Sequence, residues 1–408
     1  MPQRAFLFLQ GVCSPFFTRL ADRLAADKHR ICRINFNVGD SVYWRPRPAW
    51  NFRGELDDLP AYMEEKIESF GITDLVLFGD RRAVHLPAIR IAEARAMRLH
   101  VFEEGYFRPY WITLERGGVN GHSRLPRDPD WYRAVGASLP EYGDGRPFAS
   151  SLRARALHDA AYHLAGVANP LLFPGYRTHW PYSSAKEYAG YARRFPLLPW
   201  HTREARTIIE RLSREGARYY VLPLQLNSDA QILHDSPFAG MGEVIERVMR
   251  SFAAHAPANT RLVVKNHPLD TGLQNYRRLI RSLGQRLGVS GRVDYLEAGD
   301  TSALVARARG VVTVNSTVGA SALMLNCATV ALGAPLYDLP VLTFQGPLDA
   351  FWREGSPPDA DLFRKFRNTV IHATQVNGGF YTADGIALAV ANSQRALEAE
   401  RSPLESLL

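Results

Sequence analysis

An apolar run ends abruptly in polar side chains in the stretch RLVVKNHPLD, residues 261–270. Lys265 and His267 flank an asparagine, and Pro268 follows directly. Because the residue before a proline is held extended, His267 is predicted to lie at the carboxyl end of a buried strand. A fixed imidazole beside a lysine suits an anionic ligand. A histidine bonded to a neighbouring carbonyl, beside a solvated lysine, would explain the same residues, so this stretch alone leaves both interpretations open.

A second run, GVVTVNSTVGASAL, leads from a predicted strand into a helix that begins with small residues. Asn315, Ser316 and Thr317 collect an amide, two hydroxyls and backbone N–H groups at the helix N-terminus, where the partial positive charge binds phosphate. Gly319 would let a ligand approach the backbone. An ordinary N-cap by Ser316 or Thr317 is an equally good explanation of this run alone. Two phosphate-suited strand ends in one domain favour a nucleotide site.

Carboxylates follow two further predicted strands. In PLQLNSDAQI, Gln225 and Asp229 come after an apolar run, so that Asp229 is a candidate nucleophile or base. A turn followed by a helix cap would account for the same residues.

In VFEEGYFRPYW, Glu103 and Glu104 are followed by Gly105, Tyr106 and Arg108. Aromatic rings beside carboxylates and an arginine suit a sugar, although a core-packing loop is the alternative. Because side chains alternate along a strand, only one carboxylate faces a site easily, and Glu104, next to the glycine, is preferred.

The first predicted strand ends in FLQGVCSPFF, which offers Gln10, Gly11 and Ser14 as a weak binding loop. It lacks the spacing of a dinucleotide fingerprint, and the sequence also lacks a Walker phosphate loop. Neither NAD binding nor ATP hydrolysis is indicated.

The chain has 408 residues, 46% of them apolar, and a formal net charge of +8. This length predicts two domains, and the charge favours acidic partners such as phosphates, anionic lipids or nucleic acid. Cys13, Cys32 and Cys327 are scattered, which indicates neither a disulfide framework nor a zinc site and fits a reducing cytosol. No apolar run approaches the roughly 18 to 20 residues of a membrane span, so any membrane contact is expected to be peripheral.

Apolar runs typical of buried parallel strands alternate with helical segments in both halves of the sequence. The predicted fold class is α/β, with two Rossmann-like domains that face a cleft. The N-terminal domain is predicted over 1–200, with a helical insert at about 130–200, and the C-terminal domain over 201–408. The final helix, 386–398, could pack back across this boundary.

The strand-end motifs, in this order, resemble the capsule polysaccharide biosynthesis family of bacterial Kdo transferases, and within it the single-module KpsS/LipB-like branch. The resemblance rests on FLQGVCSPFF, FGDRR, EEGYFRPYWITLE, PLQLNSDAQI, KNHPLD and NSTVGASAL. It implies a GT-B-like fold and retaining transfer of Kdo from CMP-β-Kdo to (lyso)phosphatidylglycerol, which starts a capsular glycolipid linker. It also implies a peripheral place on the inner face of the bacterial inner membrane, near the capsule assembly and export complex, with no metal or other cofactor.

Carried over to this sequence, the resemblance implies three catalytic residues: Asp229 as nucleophile, Glu104 as the second active-site acid, and His267, which would stabilise the phosphate charge of the departing CMP. The residues predicted to bind the nucleotide are Lys265, His267, Pro268, Asn315, Ser316, Thr317 and Gly319. Those predicted to bind the acceptor or sugar are Gln10, Gly11, Ser14, Glu103, Tyr106, Arg108 and Gln225.

The predicted insert is basic and aromatic. Between 150 and 206, eight basic residues outnumber three acids, and aromatic residues lie among them. This composition suits docking to an anionic leaflet, while a solvated basic face is the alternative. The basic residues are Arg153, Arg155, Arg177, Lys186, Arg193, Arg194, Arg203 and Arg206, the acids Asp159, Glu187 and Glu204, and the aromatic residues Trp180, Tyr182, Tyr188, Phe195 and Trp200.

Two other functions stay open at this stage. One is a transferase of the same fold that uses CMP-sialic acid or a UDP-sugar, and the other is a non-catalytic capsule-assembly subunit. Nucleic-acid binding is not expected, because no recognisable binding module accompanies the basic charge.

Overall fold

The computed structural model describes residues 3–177, 184–227, 232 and 236–408. The chain forms two compact units. Unit 1 comprises Met1–Leu125, Ser138–His179 and Asn368–Leu408, and unit 2 comprises Pro126–Ala137 and Trp180–Arg367. The chain therefore passes between the units more often than a single boundary near residue 200 would allow, and the predicted insert is shared between them.

The strands of the described residues are β1 (Ala5–Phe8), β2 (Arg30–Asn35), β3 (Trp50–Asn51), β4 (Asp74–Phe78), β5 (Arg98–Glu104), β6 (Trp111–Arg116), β7 (Arg218–Pro223), β8 (Thr260–Lys265), β9 (Val293–Leu296), β10 (Gly310–Thr313), β11 (Thr329–Ala331) and β12 (Gln375–Asn377). The α-helices are Phe16–Ala26, Val38–Trp44, Leu59–Ser69, Leu86–Ala94, Pro129–Ser138, Leu152–Ala165, Asn169–Leu172, Ser184–Arg194, Leu198–Arg214, Met241–His255, Tyr276–Arg286, Thr301–Val305, Thr317–Met324, Leu348–Glu354, Ala360–Thr374, Ala383–Glu398 and Pro403–Leu407. Across the described ranges, every helix is too short or too polar to traverse a bilayer.

Unit 1 is built on a seven-stranded sheet in the order β12-β6-β5-β4-β1-β2-β3. Strands β1 to β5 pair in parallel, whereas β6 runs antiparallel to both β5 and β12. β1 is buried along its whole length, as expected for a parallel strand with both faces covered. Because β1, β2, β4 and β5 are parallel, their carboxyl ends all lie at the same edge of the sheet.

The C-terminal segment returns to unit 1. Ile386 and Leu397 of the helix Ala383–Glu398 share a buried core cluster with Phe16 and Leu20. Gln394 Oε1 also accepts a hydrogen bond of 2.6 Å from Arg23 Nε. The final helix thus packs on the first helix of the chain, far from its neighbours in sequence.

Unit 2 has a five-stranded, fully parallel sheet in the order β11-β10-β7-β8-β9. Along β7, Tyr220 and Leu222 belong to the core on one face, and Tyr219 and Val221 to the core on the other. β8 and β9 are added on one side of β7, and β10 and β11 on the other. The strand order therefore switches sides at β7, and such a switch point is where folds of this kind bind ligands. The predicted GT-B-like α/β class, with two Rossmann-like units, is confirmed by these two sheets.

A buried ion cluster ties the first strands of unit 1 together. Asp74, at the start of β4, accepts hydrogen bonds of 2.9 Å from Arg4 Nε and 2.8 Å from His100 Nε2 on β5. Burial alone would raise the pKa of Asp74, but the bonds from His100 and Arg4 hold it well below its ordinary value. The charge on Asp74 is therefore part of the folded structure.

We expect Asp74→Asn to lower the free energy of unfolding by about 3 kcal/mol at pH 7, because Arg4 loses its buried counter-charge. A carboxyl with a depressed pKa stabilises the fold above its ordinary pKa and loses this effect as the pH falls. The gap between wild type and variant should therefore narrow as the pH falls below about 4. Urea denaturation over this pH range measures it, with the exposed Asp130→Asn as control; a gap independent of pH would contradict the prediction.

Candidate active site

Three predicted motifs of unit 2 follow adjacent strands. Because β7 pairs in parallel with both β8 and β10, the segments after these strands emerge at one edge of the sheet. Gln225, after β7, accepts a 3.0 Å hydrogen bond from the backbone N–H of Asn315, after β10. Both side chains are buried. The structure places Gln225 in unit 2, with the predicted nucleotide motifs, although it was predicted to bind acceptor or sugar.

The loop from His267 to Asp270 is held by an arginine from the helix Ser184–Arg194. Arg194 is buried, and its guanidinium donates to the carbonyls of His267, Pro268 and Asp270 at 3.2, 2.8 and 2.6 Å. It also donates to Glu297 Oε1 at 2.7 Å, which supplies a counter-charge. These loop carbonyls lie outside any helix or sheet, and one planar guanidinium supplies the hydrogen bonds that backbone N–H groups would supply there.

His267 is half-buried at the start of this loop. Its Nδ1 accepts the backbone N–H of Leu269 at 3.1 Å, so the neutral ring carries its proton on Nε2. The backbone N–H of His267 donates to Asn266 Oδ1 at 2.8 Å, while exposed Pro268 ends the segment. The imidazole is therefore held in one tautomer that presents a donor.

Lys265 ends β8 with its side chain buried, and its Nζ donates to the carbonyl of Asn266 at 2.8 Å. Burial lowers the pKa of Lys265 to about 8, and the nearby Arg194 charge adds to this effect while Glu297 opposes it. A buried lysine with a lowered pKa costs stability and is typical of a site that binds an anion or moves a proton.

The helix Thr317–Met324 begins as predicted. Ser316 is its N-cap, because its hydroxyl accepts the backbone N–H of Val318 at 3.1 Å. Thr317 is half-buried in the first turn. A Cβ on Gly319 would lie 2.0 Å from the hydroxyl of Tyr337, which donates to the carbonyl of Ser316. The cap is present, and the space beside Gly319 is filled by the Tyr337 ring, so ligand approach at Gly319 stays a prediction.

In unit 1, Glu104 ends β5 inside a polar cluster. Its Oε1 lies 3.1 Å from Nη1 of Arg155 and accepts a 3.3 Å hydrogen bond from the hydroxyl of Tyr381. The guanidinium carbon of Arg155 lies 5.0 Å from the centre of the Tyr381 ring. Burial raises the pKa of Tyr381 well above its ordinary value, and the charge of Glu104 raises it further. This hydroxyl stays protonated, so it orients the carboxylate as a donor.

A second buried polar cluster lies at the ends of β1 and β2. Gln10 is buried, and its Oε1 accepts from Arg82 Nη1 at 3.0 Å while its amide donates to the hydroxyl of Tyr162 at 3.1 Å. The same tyrosine hydroxyl donates to Asp40 Oδ1 at 3.1 Å, and Asp40 pairs with buried Arg33 at 3.3 Å. Of this group the sequence pointed only to Gln10, although Arg82 belongs to the FGDRR motif.

Other predicted acceptor residues of unit 1 have structural partners. Tyr106 is buried, and its hydroxyl donates to Glu115 at 2.6 Å. Glu103 accepts the backbone N–H of Glu104 at 2.9 Å. Arg108 is exposed. The structure does not place the Tyr106 hydroxyl beside the Glu104 carboxylate, because that hydroxyl turns into the core; acceptor binding by these residues stays a prediction.

The remaining predicted positions near the first strand are tightly packed. A Cβ on Gly11 would lie 2.7 Å from the Phe17 ring, and buried Ser14 accepts the N–H of Phe16 at 3.3 Å.

The candidate nucleophile, Asp229, lies outside the described residues. Within the described ranges, no group of three or more metal-ligating side chains is present.

The predicted basic insert contains two arginines that do not face solvent freely. Arg194 is buried in unit 2, and Arg155 contacts Glu104 in unit 1. Glu204 of the same segment pairs with Arg277, with two hydrogen bonds of 2.7 Å. Counting Arg155 and Arg194 toward a membrane-docking surface was wrong, because charge and sequence position do not show which way a side chain turns. Trp180 and Tyr182 lie outside the described residues.

The sequence model of a family described as capsule polysaccharide biosynthesis protein matches residues 73–381. The chain is 36% identical over 380 residues to the capsule polysaccharide export protein KpsS of Escherichia coli, over 93% of this chain and 97% of that protein. It is 35% identical over 395 residues to the capsule polysaccharide modification protein LipB of Neisseria meningitidis serogroup B, over 92% of this chain and 91% of that protein.

Among solved structures, a similar backbone is that of the β-Kdo 2,7 transferase KpsC of Thermosulfurimonas dismutans. The TM-score is 0.44 and the identity 13%, over 97% of this chain and 98% of that chain. A likeness this distant says nothing about the reaction.

We expect Arg194→Lys to lower the free energy of unfolding by about 3 kcal/mol, because one ammonium cannot reach Glu297 and several loop carbonyls together. Arg193→Lys is the matched control: this neighbouring side chain is exposed and bonds the carbonyl of Gly272, so the expected change is below about 0.5 kcal/mol. Chemical denaturation of both variants measures the effect. Equal losses in the two variants would mean that the loop does not depend on Arg194.

Because its pKa is lowered from 10.5 to about 8, Lys265 binds fewer protons in the folded state than in the unfolded state between these values. The free energy of unfolding must therefore gain a contribution that rises with pH in this window. We expect Lys265→Met to be more stable than wild type below pH 8, by about 3 kcal/mol, and the difference to shrink toward pH 10.5. Denaturation at several pH values tests this, with exposed Lys186→Met as control. A difference that stays constant with pH would rule it out.

Proposed function

Because this chain belongs to the family of capsule polysaccharide biosynthesis proteins, we propose that it is a retaining glycosyltransferase that moves Kdo from CMP-β-Kdo to (lyso)phosphatidylglycerol. The product would be the first part of a glycolipid linker that carries a capsular polysaccharide. The observation that carries this proposal is that Lys265 and His267 follow β8 and the Ser316 cap follows β10, two strands that flank β7 and end at the same edge of one parallel sheet.

The donor is proposed to bind to unit 2. CMP carries one phosphate, which suits the Nε2–H of His267, the ammonium of Lys265 and the N-terminus of the helix Thr317–Met324. These groups would stabilise the charge that develops as CMP leaves, without a divalent metal. An anion beside Lys265 would also favour its charged form and so offset the cost of burying it.

The proposed chemistry has two steps. The carboxylate of Asp229 attacks the anomeric carbon of Kdo, and the bond from that carbon to the CMP phosphate oxygen breaks, so that CMP leaves with the electron pair. The acceptor hydroxyl then attacks the same carbon, its proton passes to Glu104, and the bond to Asp229 breaks. Two inversions give overall retention of configuration.

The surroundings of Glu104 support its role as the base. Arg155 and Tyr381 contact the same oxygen, Oε1, at 3.1 and 3.3 Å, which fixes the carboxylate in one orientation. The arginine also places a positive charge beside the carboxylate that is proposed to take up the proton. About a quarter of the side chain, 26%, is exposed, so a substrate hydroxyl can approach it.

We propose that the enzyme works on the inner face of the inner membrane, where its lipid acceptor resides, and with the capsule assembly and export complex. The family membership supports a part in capsule assembly, and the proposed lipid acceptor would require this placement.

The decisive experiment measures transfer from CMP-β-Kdo, generated in situ, to a fluorescent lysophosphatidylglycerol, with detection by mass spectrometry. We expect a product one Kdo heavier from wild type, and a rate at least about 100-fold lower from His267→Ala, Asp229→Asn and Glu104→Gln. Exposed His255→Ala and Glu246→Gln are the matched controls and should retain wild-type rates.

Other outcomes separate the remaining alternatives. Thermal protection by UDP, but not by CMP, would point to a UDP-sugar donor. Thermal protection by CMP without a Kdo product would support the nucleotide site but would reject Kdo as the sugar or (lyso)phosphatidylglycerol as the acceptor. If neither nucleotide protects the protein, and Asp229→Asn still supports capsule formation in cells, the chain is a non-catalytic assembly subunit.

A further inference from the structure

The helix Leu152–Ala165 has its apolar side turned outward. Its exposed positions are 152, 153, 156, 157, 160, 161 and 164, and among these Arg153 alone is polar. Leu157 and Leu164 are 72% and 75% exposed. The same character continues beyond the helix, where Val167 and Leu171 are 75% and 83% exposed.

The inward side of this helix is polar. Arg155 contacts Glu104, the hydroxyl of Tyr162 donates to Asp40 at 3.1 Å, and His158 Nδ1 lies 2.7 Å from the hydroxyl of Tyr43. A surface helix of a soluble protein normally has the opposite arrangement, with its apolar side on the core. An outward apolar side of this length indicates that another apolar phase covers it.

The charges beside this face are positive. From 152 to 177 the exposed charged residues are Arg153 and Arg177. The acid of this segment, Asp159, is half-buried and lies 3.9 Å from Arg155. Arg177 lies 3.8 Å from Glu55 in an exposed pair, for which a lipid phosphate can compete. Leucines bordered by arginines match an anionic membrane surface.

We propose that Leu157, Leu164, Val167 and Leu171, here called the apolar stripe, lie in the boundary between headgroups and acyl chains of an anionic bilayer. The stripe consists of aliphatic side chains bordered by the exposed positive charges of Arg153 and Arg177, and a second copy of the chain would bring like charges together at this face. This composition favours lipid over a second copy of the chain.

The stripe also bears on how the acceptor reaches the active site. This step rests on the proposed function, which names a lipid as the acceptor. Leu157 follows Arg155 by two residues, so less than one helical turn separates the lipid-facing side from the arginine that contacts Glu104. The base of the reaction would then lie next to the membrane surface that holds the acceptor hydroxyl.

Flotation of the full chain with lipid vesicles tests the stripe without any sugar transfer. We expect wild type to float with vesicles of phosphatidylethanolamine and phosphatidylglycerol, and less with phosphatidylcholine alone. The triple variant Leu157→Gln, Leu164→Gln and Leu171→Gln should lower the partition coefficient at least about ten-fold. The matched control is Leu86→Gln with Leu408→Gln, which changes leucines that are 37% and 55% exposed elsewhere and should float like wild type.

A gain of signal complements this loss. An environment-sensitive fluorophore on Leu164→Cys should shift to the blue when anionic vesicles are added, whereas the same label on Leu86→Cys should not. Equal flotation of wild type and triple variant, or no shift at Leu164→Cys, would overturn the proposal. The proposal would also be overturned if light scattering showed a wild-type dimer and a monomeric triple variant, because a second copy would then cover the stripe. Flotation without sugar transfer would reject the proposed function alone.

Discussion

Parallel pairing of β7 with both β8 and β10 is the constraint on which the candidate site of unit 2 depends. Parallel strands all deliver their following segments to one edge, so polar residues far apart in sequence meet there. Gln225 and Asn315 are 90 residues apart, yet they share a hydrogen bond at this edge. The same geometry leaves backbone carbonyls after β8 without partners in the sheet, and it buries the ammonium of Lys265. A site of this kind needs support from outside the sheet.

In each unit that support is an arginine from the segment that lies between β6 and β7 in the sequence. Arg194 donates to the loop after β8 and to Glu297, and Arg155 contacts Glu104 at the end of β5. Guanidinium groups suit both tasks because they present several donors in a plane and remain charged when partly buried. The segment is therefore more than a connection: its helices contribute to the strand-end sites of both units, which explains why Arg155 and Arg194 turn inward.

The helix Leu152–Ala165 joins two roles that are usually separate. Its polar side holds Glu104 and the cluster around Asp40, and its outward side is apolar. Moving a sugar from a water-soluble nucleotide to a membrane lipid requires an acid or base close to the membrane surface. In the proposed function a helix with one polar side and one lipid-facing side would meet that requirement, and contact with lipid would cover an apolar surface that otherwise favours aggregation.

The sequence alone determined the two α/β units, the strand ends that carry polar residues, the start of the helix at Ser316, and the family. These features depend on local patterns: apolar runs, prolines, and capping residues next to the backbone they cap. Tertiary structure alone decided that Arg194 is buried, that Arg155 reaches Glu104, and that the Tyr106 hydroxyl turns into the core. Each of the two arginine contacts joins residues more than about 50 positions apart in sequence, and in sequence a buried arginine looks the same as a solvated one. Burial and pairing arise from packing, which no local pattern records.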